Sequence, residues 1–316
     1  MRPSARSCAP PTTPTSRRTL RASSSRAAAF SLLALTNLLW AGNWVLGRAL
    51  RDTFDPVSLN FWRWFIALAV LTPFGLRAIA GKGEVLRRHA GILALLALLS
   101  VPLFQTMIYH GLQSTMAINA LLINSSAPVF MIACSWLVDR ERASARQIAG
   151  MLISLAGIVI IMTQGEPRRL VELELHAGDA WILAAMPLWG LYSVLLKRRP
   201  PELGGVALLF VICLLGVTML APFFLAHSVA VPSAAPSAAT LAAVLYVGIG
   251  ASVIAFICWN RGVAIVGANA AGFTLHLLPA FGTLLAITFL GEEFHVFHAA
   301  GVATILAGVI LATYQR

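Results

Sequence analysis

Ten apolar segments separated by short polar connections set the terms for any fold of this chain. They run over residues 30–50, 57–78, 89–110, 115–138, 146–162, 179–196, 204–226, 240–261, 267–290 and 296–314. Most approach the roughly 20 residues that an α-helix needs to cross the hydrocarbon of a bilayer. Of the 316 residues, 59% are hydrophobic and 11% charged, where a soluble domain carries about 25% charged residues. Such a chain cannot cover a water-facing surface. The expected fold class is therefore an all-α integral membrane protein of ten transmembrane helices, with the lipid bilayer as its first partner.

The formal charge of +11 raises nucleic acid as a partner, and the placement of the charge argues against it. Basic residues sit in the N-terminal tail and in alternate loops: Arg77, Lys82, Arg87 and Arg88; Arg140, Arg142 and Arg146; Lys197, Arg198 and Arg199; and Arg261. The intervening loops hold none, or offset them with acids, as Arg48 and Arg51 are offset by Asp52 and Asp55. This is the positive-inside pattern, so both termini are expected in the cytoplasm and the protein in a bacterial inner membrane. Residues 1–29 hold six Arg and no acid and read as a disordered cytoplasmic tail. An organelle transit peptide is the second reading, spoiled by Pro3, Pro10, Pro11 and Pro14. Cys134, Cys213 and Cys258 lie inside apolar runs and read as small buried hydrophobes.

The chain also repeats itself. A shift of 151 places Gly111 on Gly262, Pro128 on Pro279, Phe130 on Phe281, Glu141 on Glu292, Gly150 on Gly301 and Gly157 on Gly308. A shift of 149 places Trp40 on Trp189, Arg48 on Lys197 and Pro73 on Pro222. Ala and Leu match by composition alone; Pro, Glu, Trp and Gly in one register do not. The expected units are 30–162 and 179–316, joined by a periplasmic linker at 163–178. Each holds five spans. Five is odd, so the halves enter the membrane from opposite sides, the inverted repeat common in secondary transporters.

LLWAGNWVLGR in the first span, the Pro-centred fourth span ending in DRE, and LLPAFGTLLAITFLGEEF in the ninth resemble the drug/metabolite transporter superfamily, EamA type. Amino-acid exporters of the YddG kind look most similar within it. VDRER at the end of the fourth span departs from the usual Leu-Gly-Glu. The resemblance implies ten spans in two inverted halves and the transport, often export, of a small-molecule substrate.

Span geometry nominates the residues that meet the substrate. Asn37, Trp40, Asn43 and Gly47 share one face of the first span, as do Trp181, Ala185, Trp189 and Tyr192 in the sixth. The third gives Pro102, Gln105 and Tyr109, and the ninth gives Asn269, Phe273, His276 and Thr283. The fourth carries NALLINSSAPVF, with Asn119, Asn124 and Ser125 ahead of Pro128. A polar or aromatic stripe in a span faces the bundle or a cavity rather than lipid. The candidate cavity residues are thus Trp40, Asn43, Gln105, Tyr109, Asn119, Asn124, Ser125, Trp189, Tyr192, Phe273 and His276. Pro128 and Pro279 are the candidate kinks, where the carbonyls of Asn124 and Leu275 lose their helical donors. Any one Asn can serve instead as glue between helices. Tyr109, Trp181 and Trp259 lie near segment ends, where interfacial anchoring is the expected role. The four glycines of the fifth and tenth spans read as packing faces.

Other chemistries find little support. No nucleotide-binding loop is present, and no GxSxG, HExxH or paired acids accompany the polar groups at depth, so neither a pump nor an enzyme is expected. An intramembrane enzyme, built on Ser125, Ser126 and His276, is a remote alternative. His295 and His298 form HxxH without a third ligand, and no metal or cofactor is expected. Arg63 is an intramembrane cation about two turns from the outer face, expected to snorkel or to line an outer vestibule. Lacking other cations at depth, the cavity suits a neutral, zwitterionic or cationic molecule better than a sugar phosphate. Amino acids lead, and organic cations or drugs are the alternative. Protons are a possible coupling ion, with His276 the one candidate carrier.

Overall fold

The computed structural model describes residues 15–115, 117–170, 175–230, 237–290 and 293–313, and among them there is no strand. Among the described residues nine helices are long and apolar enough to cross a membrane. We number them by their place among the ten expected spans: span 1 Ser25–Ala49, span 2 Pro56–Ile79, span 3 Ala90–Ser114, span 4 Asn119–Asp139, span 5 Ala145–Met162, span 6 Ala177–Arg198, span 7 Gly205–Ala226, span 8 Ala238–Val266 and span 10 Val296–Thr313. Span 9 is a rod in three consecutive pieces, the helix Ala268–Phe273, a tight 3-10 turn Thr274–His276 and the helix Leu277–Leu290.

The helix that contains span 1 begins at Thr15. Part of the expected tail is therefore helical, while residues 1–14 lie outside the described residues. Pro14 is the last proline of the tail. The Arg, Ala and Leu beyond it extend an existing helix without a nucleation cost.

The breaks in spans 4 and 9 fall at equivalent places. Span 4 is interrupted at Ser125 and Ser126, just before Pro128 in the first turn of its second helix. The Ser125 and Ser126 hydroxyls donate to the carbonyls of Leu121 and Ile123 at 2.8 and 2.6 Å, competing with the backbone ladder. Proline has no N–H to continue that ladder and is tolerated where a new helix starts. Spans 3 and 8 carry a second matched irregularity, π-helical stretches at Leu99–Gln105 and Val247–Ile254. Such turns leave carbonyls free for side chains.

Packing follows a two-fold pattern throughout. Spans 2 and 7 pack on each other, as do 5 and 10. Span 1 lies against spans 8 and 9, and span 6 against the equivalent spans 3 and 4. At the 5–10 crossing a Cβ on Gly150 would sit 2.5 Å from the Gly308 carbonyl oxygen, and one on Gly157 would sit 2.7 Å from that of Gly301. The glycine early in one helix meets the glycine late in the other, so the two equivalent helices run in opposite directions. Elsewhere Gly111 faces Ile182 and its mate Gly262 faces Leu33, with would-be Cβ contacts of 2.5 and 2.6 Å. The halves are related by inversion of their direction through the membrane, as an odd number of spans requires.

Loops gather alternately at the two ends. Lys82 Nζ donates to the Glu202 carbonyl at 2.8 Å, and Lys197 Nζ pairs with Glu141 Oε1 at 2.7 Å and Asp139 Oδ2 at 3.3 Å. These contacts join the 2–3, 4–5 and 6–7 connections. At the other end Arg48 Nη1 donates to the Leu112 carbonyl at 2.8 Å, and Gln113 Nε2 to that of Phe54 at 3.4 Å.

The 5–10 crossing gives a direct test. Gly308→Val places new carbons against the Ser154 backbone nitrogen and the Gly150 carbonyl and is expected to destabilise by about 1–3 kcal/mol. Gly204→Ala, which meets nothing within 4 Å, serves as control. Thermal melting of the detergent-solubilised protein should fall by several degrees for the first variant and stay level for the second; equal melting would mean that the crossing tolerates bulk.

Candidate functional site

Trp40 and Trp189, repeat mates on spans 1 and 6, meet where the two halves join. Their rings stand edge to face with centroids 5.1 Å apart. Trp259 packs against both at 5.3 Å, and Phe256 lies 5.7 and 5.8 Å from them. Rings in such edge-on contact each contribute about 0.5–1.5 kcal/mol beyond the area they bury. Trp40 Nε1 donates to the Ala251 carbonyl at 3.0 Å, one of the carbonyls in the π-helical part of span 8.

Above this aromatic floor a small cavity opens, lined by Trp40, Trp189, Phe104 and Phe256 on its apolar side and by Asn43, Arg63, Gln105 and Asn124 on its polar side. Its volume is about 30 Å³, room for a couple of waters and too little for an organic molecule. The Nδ2 of Asn124 and the Nε2 of Gln105 are buried and make no hydrogen bond, although Gln105 lies close to the Tyr109 hydroxyl. Two amide donors without acceptors in a cavity wall are expensive unless a ligand completes them.

Arg63 completes the polar side. Its guanidinium does not snorkel to the surface: the residue is 1% exposed. Nε donates to Ser252 Oγ at 2.5 Å, Nη1 to Asn43 Oδ1 and Tyr109 Oη at 3.2 Å each, and Nη2 to the Ala251 carbonyl at 3.1 Å. It thereby connects spans 1, 2, 3 and 8. The Tyr109 hydroxyl in turn donates to Asn43 Oδ1 at 3.0 Å. The repeat supplies a counterpart with the roles exchanged, for Tyr192 donates to Asn260 Oδ1 at 2.9 Å. Asn43 and Tyr192 are mates at a shift of 149, Tyr109 and Asn260 at 151. A tyrosine–asparagine bond thus joins the first and third spans of each half.

Of the residues nominated from sequence, Trp40, Asn43, Gln105, Asn124 and Trp189 line the cavity. Tyr109 and Tyr192 stand behind its wall. Phe273 is buried away from it. Asn119 Nδ2 donates to Asp179 Oδ2 at 3.1 Å, beside a bond from the Thr115 hydroxyl to the same carboxylate and one from the His176 backbone N–H at 2.8 Å. That cluster ties the start of span 6 to the 3–4 connection. His276 and Ser125 also lie outside the cavity. His276 Nε2 donates to the Ser125 carbonyl at 3.0 Å and its Nδ1 pairs with the Ser154 hydroxyl. The break in span 4 frees that carbonyl, since Val129 N–H turns to Ser126 instead. Histidine here fastens spans 4, 5 and 9 together. Trp181 is exposed as an anchor would be, whereas Trp259 and Tyr109 are buried in the bundle.

Sequence reasoning passed over Phe104, Phe256 and Trp44 as cavity walls. Phe256 is the repeat mate of Gln105, a relation that could have nominated it. Nothing along the chain signals that Ala251 offers its carbonyl, because that depends on the π-helical turn.

The family is now plain. Both halves match the model of the EamA-like transporter family, over residues 27–163 and 176–314, and the chain belongs to that family. It is a membrane transporter built of a duplicated domain. An uncharacterized transporter of Archaeoglobus fulgidus is 30% identical over 288 residues, covering 90% of this chain and 97% of that protein. A probable terminal-alkyne amino-acid exporter of Streptantibioticus cattleyicolor is 28% identical over 285 residues, covering 88% and 91%. A solved crystal structure superposes with a TM-score of 0.68 at 23% identity over 92% of this chain and 96% of that one; at that identity the likeness bears on the fold alone.

His276→Gln separates fastening from proton carriage. It is expected to lower the melting temperature by several degrees and to leave the pH profile of transport unchanged in proteoliposomes. A flattened pH profile with unchanged melting would instead give His276 a coupling role.

Proposed function

We propose that the chain exports small organic metabolites, foremost aromatic or neutral amino acids or related amphipathic compounds, across the bacterial inner membrane by alternating access. The observation that carries this reading is the cavity between the halves, where an aromatic floor faces Arg63 and two buried amide donors that lack acceptors. A carboxylate accepts several hydrogen bonds at once and matches a guanidinium with flanking N–H groups. An apolar or aromatic side chain matches Trp40 and Trp189. The same arrangement disfavours organic cations, which a buried guanidinium repels. The name of the Streptantibioticus cattleyicolor relative, an amino-acid exporter, supports the same class. Specificity of the YddG kind, for aromatic or neutral amino acids, fits the four-ring floor.

The end that gathers Lys82, Lys197 and Arg198 faces the cytoplasm in this proposal, with both termini on that side, because basic loops are retained there. The closed cavity of about 30 Å³ is the occluded stage of the cycle. Opening bends the halves at the matched breaks of spans 4 and 9, with Pro128 and Pro279 just beyond them, and at the π-helical stretches of spans 3 and 8. Irregular backbone at membrane depth is tolerated where it lines a cavity. No step of the cycle requires covalent chemistry.

Asn124→Leu tests the reading. It removes a donor without removing bulk and is expected to express normally while lowering efflux at least tenfold, measured against an amino-acid panel in loaded proteoliposomes. Undiminished efflux with every amino acid that the unmodified protein moves would reduce the polarity of Asn124 to helix glue.

A further inference from the structure

Arg63 carries more information than a carboxylate contact. Among the described residues no carboxylate lies within 4.0 Å of it. Its four hydrogen-bond acceptors, Asn43, Tyr109, Ser252 and the Ala251 carbonyl, are all neutral. The buried acid among the described residues is Asp179, which is engaged with Thr115, Asn119 and the His176 N–H and does not line the cavity. The empty cavity therefore holds one net positive charge and no site for a cation.

A buried charge without a counterion is strongly disfavoured unless something pairs with it. A zwitterion would bring its own ammonium into the cavity and leave the net charge at plus one. A monoanion cancels it. We propose that the preferred cargo is a net-anionic small carboxylate with an apolar or aromatic body, such as an amino acid whose amine is masked or absent, and that Arg63 is its counterion. This rests on the transport reading above and narrows its substrate class.

A consequence follows for energy coupling. The cavity holds no carboxylate to carry a proton inward, so export of the anion alone moves one negative charge out of the cell. The membrane potential, negative inside, drives that movement. At 100 mV the drive supports about a 50-fold ratio of monoanion across the membrane, equivalent to about 2.3 kcal/mol. Export can thus be uphill with no coupling ion.

The test uses the full chain in proteoliposomes under a potassium–valinomycin potential, with radiolabelled N-acetyl-L-tryptophan and L-tryptophan as probes. The anion should leave loaded vesicles at least fivefold faster when the interior is negative than at zero potential, and with equal probe concentrations on both sides its net movement should follow the sign of the potential. L-Tryptophan, carrying no net charge, should move more slowly and with little response to potential. Arg63→Gln should abolish the preference for the anion, and Arg63→Lys should retain part of it. If Arg63→Gln fails to fold, the potential response of the unmodified protein still decides. Transport of L-tryptophan in preference to the anion, or anion transport indifferent to potential, overturns this inference and leaves amino-acid export standing. Movement of neither probe, while another amino acid is carried, also overturns it; movement of no amino acid or carboxylate at all overturns both.

Discussion

One buried guanidinium ties together four spans of this molecule. Arg63 reaches from span 2 to spans 1, 3 and 8, so its bonds join both halves beside the cavity between them. A hydrogen bond from a charged donor to a neutral acceptor contributes about 1.5–3 kcal/mol. The chain places these bonds where the charge also faces a cavity. The π-helical turn of span 8 exists in the same few residues, and it is the turn that frees the Ala251 carbonyl for Arg63 and Trp40 together. Irregular backbone, buried charge and aromatic floor are one construction.

Hydrocarbon explains why the helix breaks are bonded within the protein. Water is absent to satisfy a stray donor, so each break in a helix must find its partner inside the protein. The carbonyl released at Ser125 is taken by His276, and the hydroxyls of Ser125 and Ser126 turn back onto their own helix. Asn124 and Gln105, each with a buried amide donor that lacks an acceptor, belong to the cavity lining.

Much of the architecture was legible in the chain. The lengths of the apolar runs gave the spans, and the Pro, Gly and Trp matches at shifts of 151 and 149 gave the two halves. The antiparallel meeting of Gly150 with Gly308 follows from those matches once five is recognised as odd. The cavity was half legible. Trp40, Trp189, Asn43, Gln105 and Asn124 stand on polar or aromatic faces at mid-span and do line it. Asn119 and His276 stand on similar faces and do not, because face alone cannot tell a cavity from a polar helix contact. Arg63 was hidden for another reason: a long side chain near a span end can reach outward or inward, and only the position of Ser252 and Tyr109 decides. The exchange of tyrosine and asparagine between Asn43–Tyr109 and Tyr192–Asn260 was invisible to a search for identical residues, although the registers of the repeat align both members.

A density map of the protein in lipid nanodiscs with its transported substrate bound tests the central claim most directly. The account predicts a ligand resting on Trp40 and Trp189 with its acidic group toward Arg63, Gln105 and Asn124, in a cavity widened by bending at the breaks of spans 4 and 9. A ligand seated instead in the apolar groove on the outer face of spans 9 and 10, near Phe281 and Leu306, with the tryptophan cavity still closed, would contradict it.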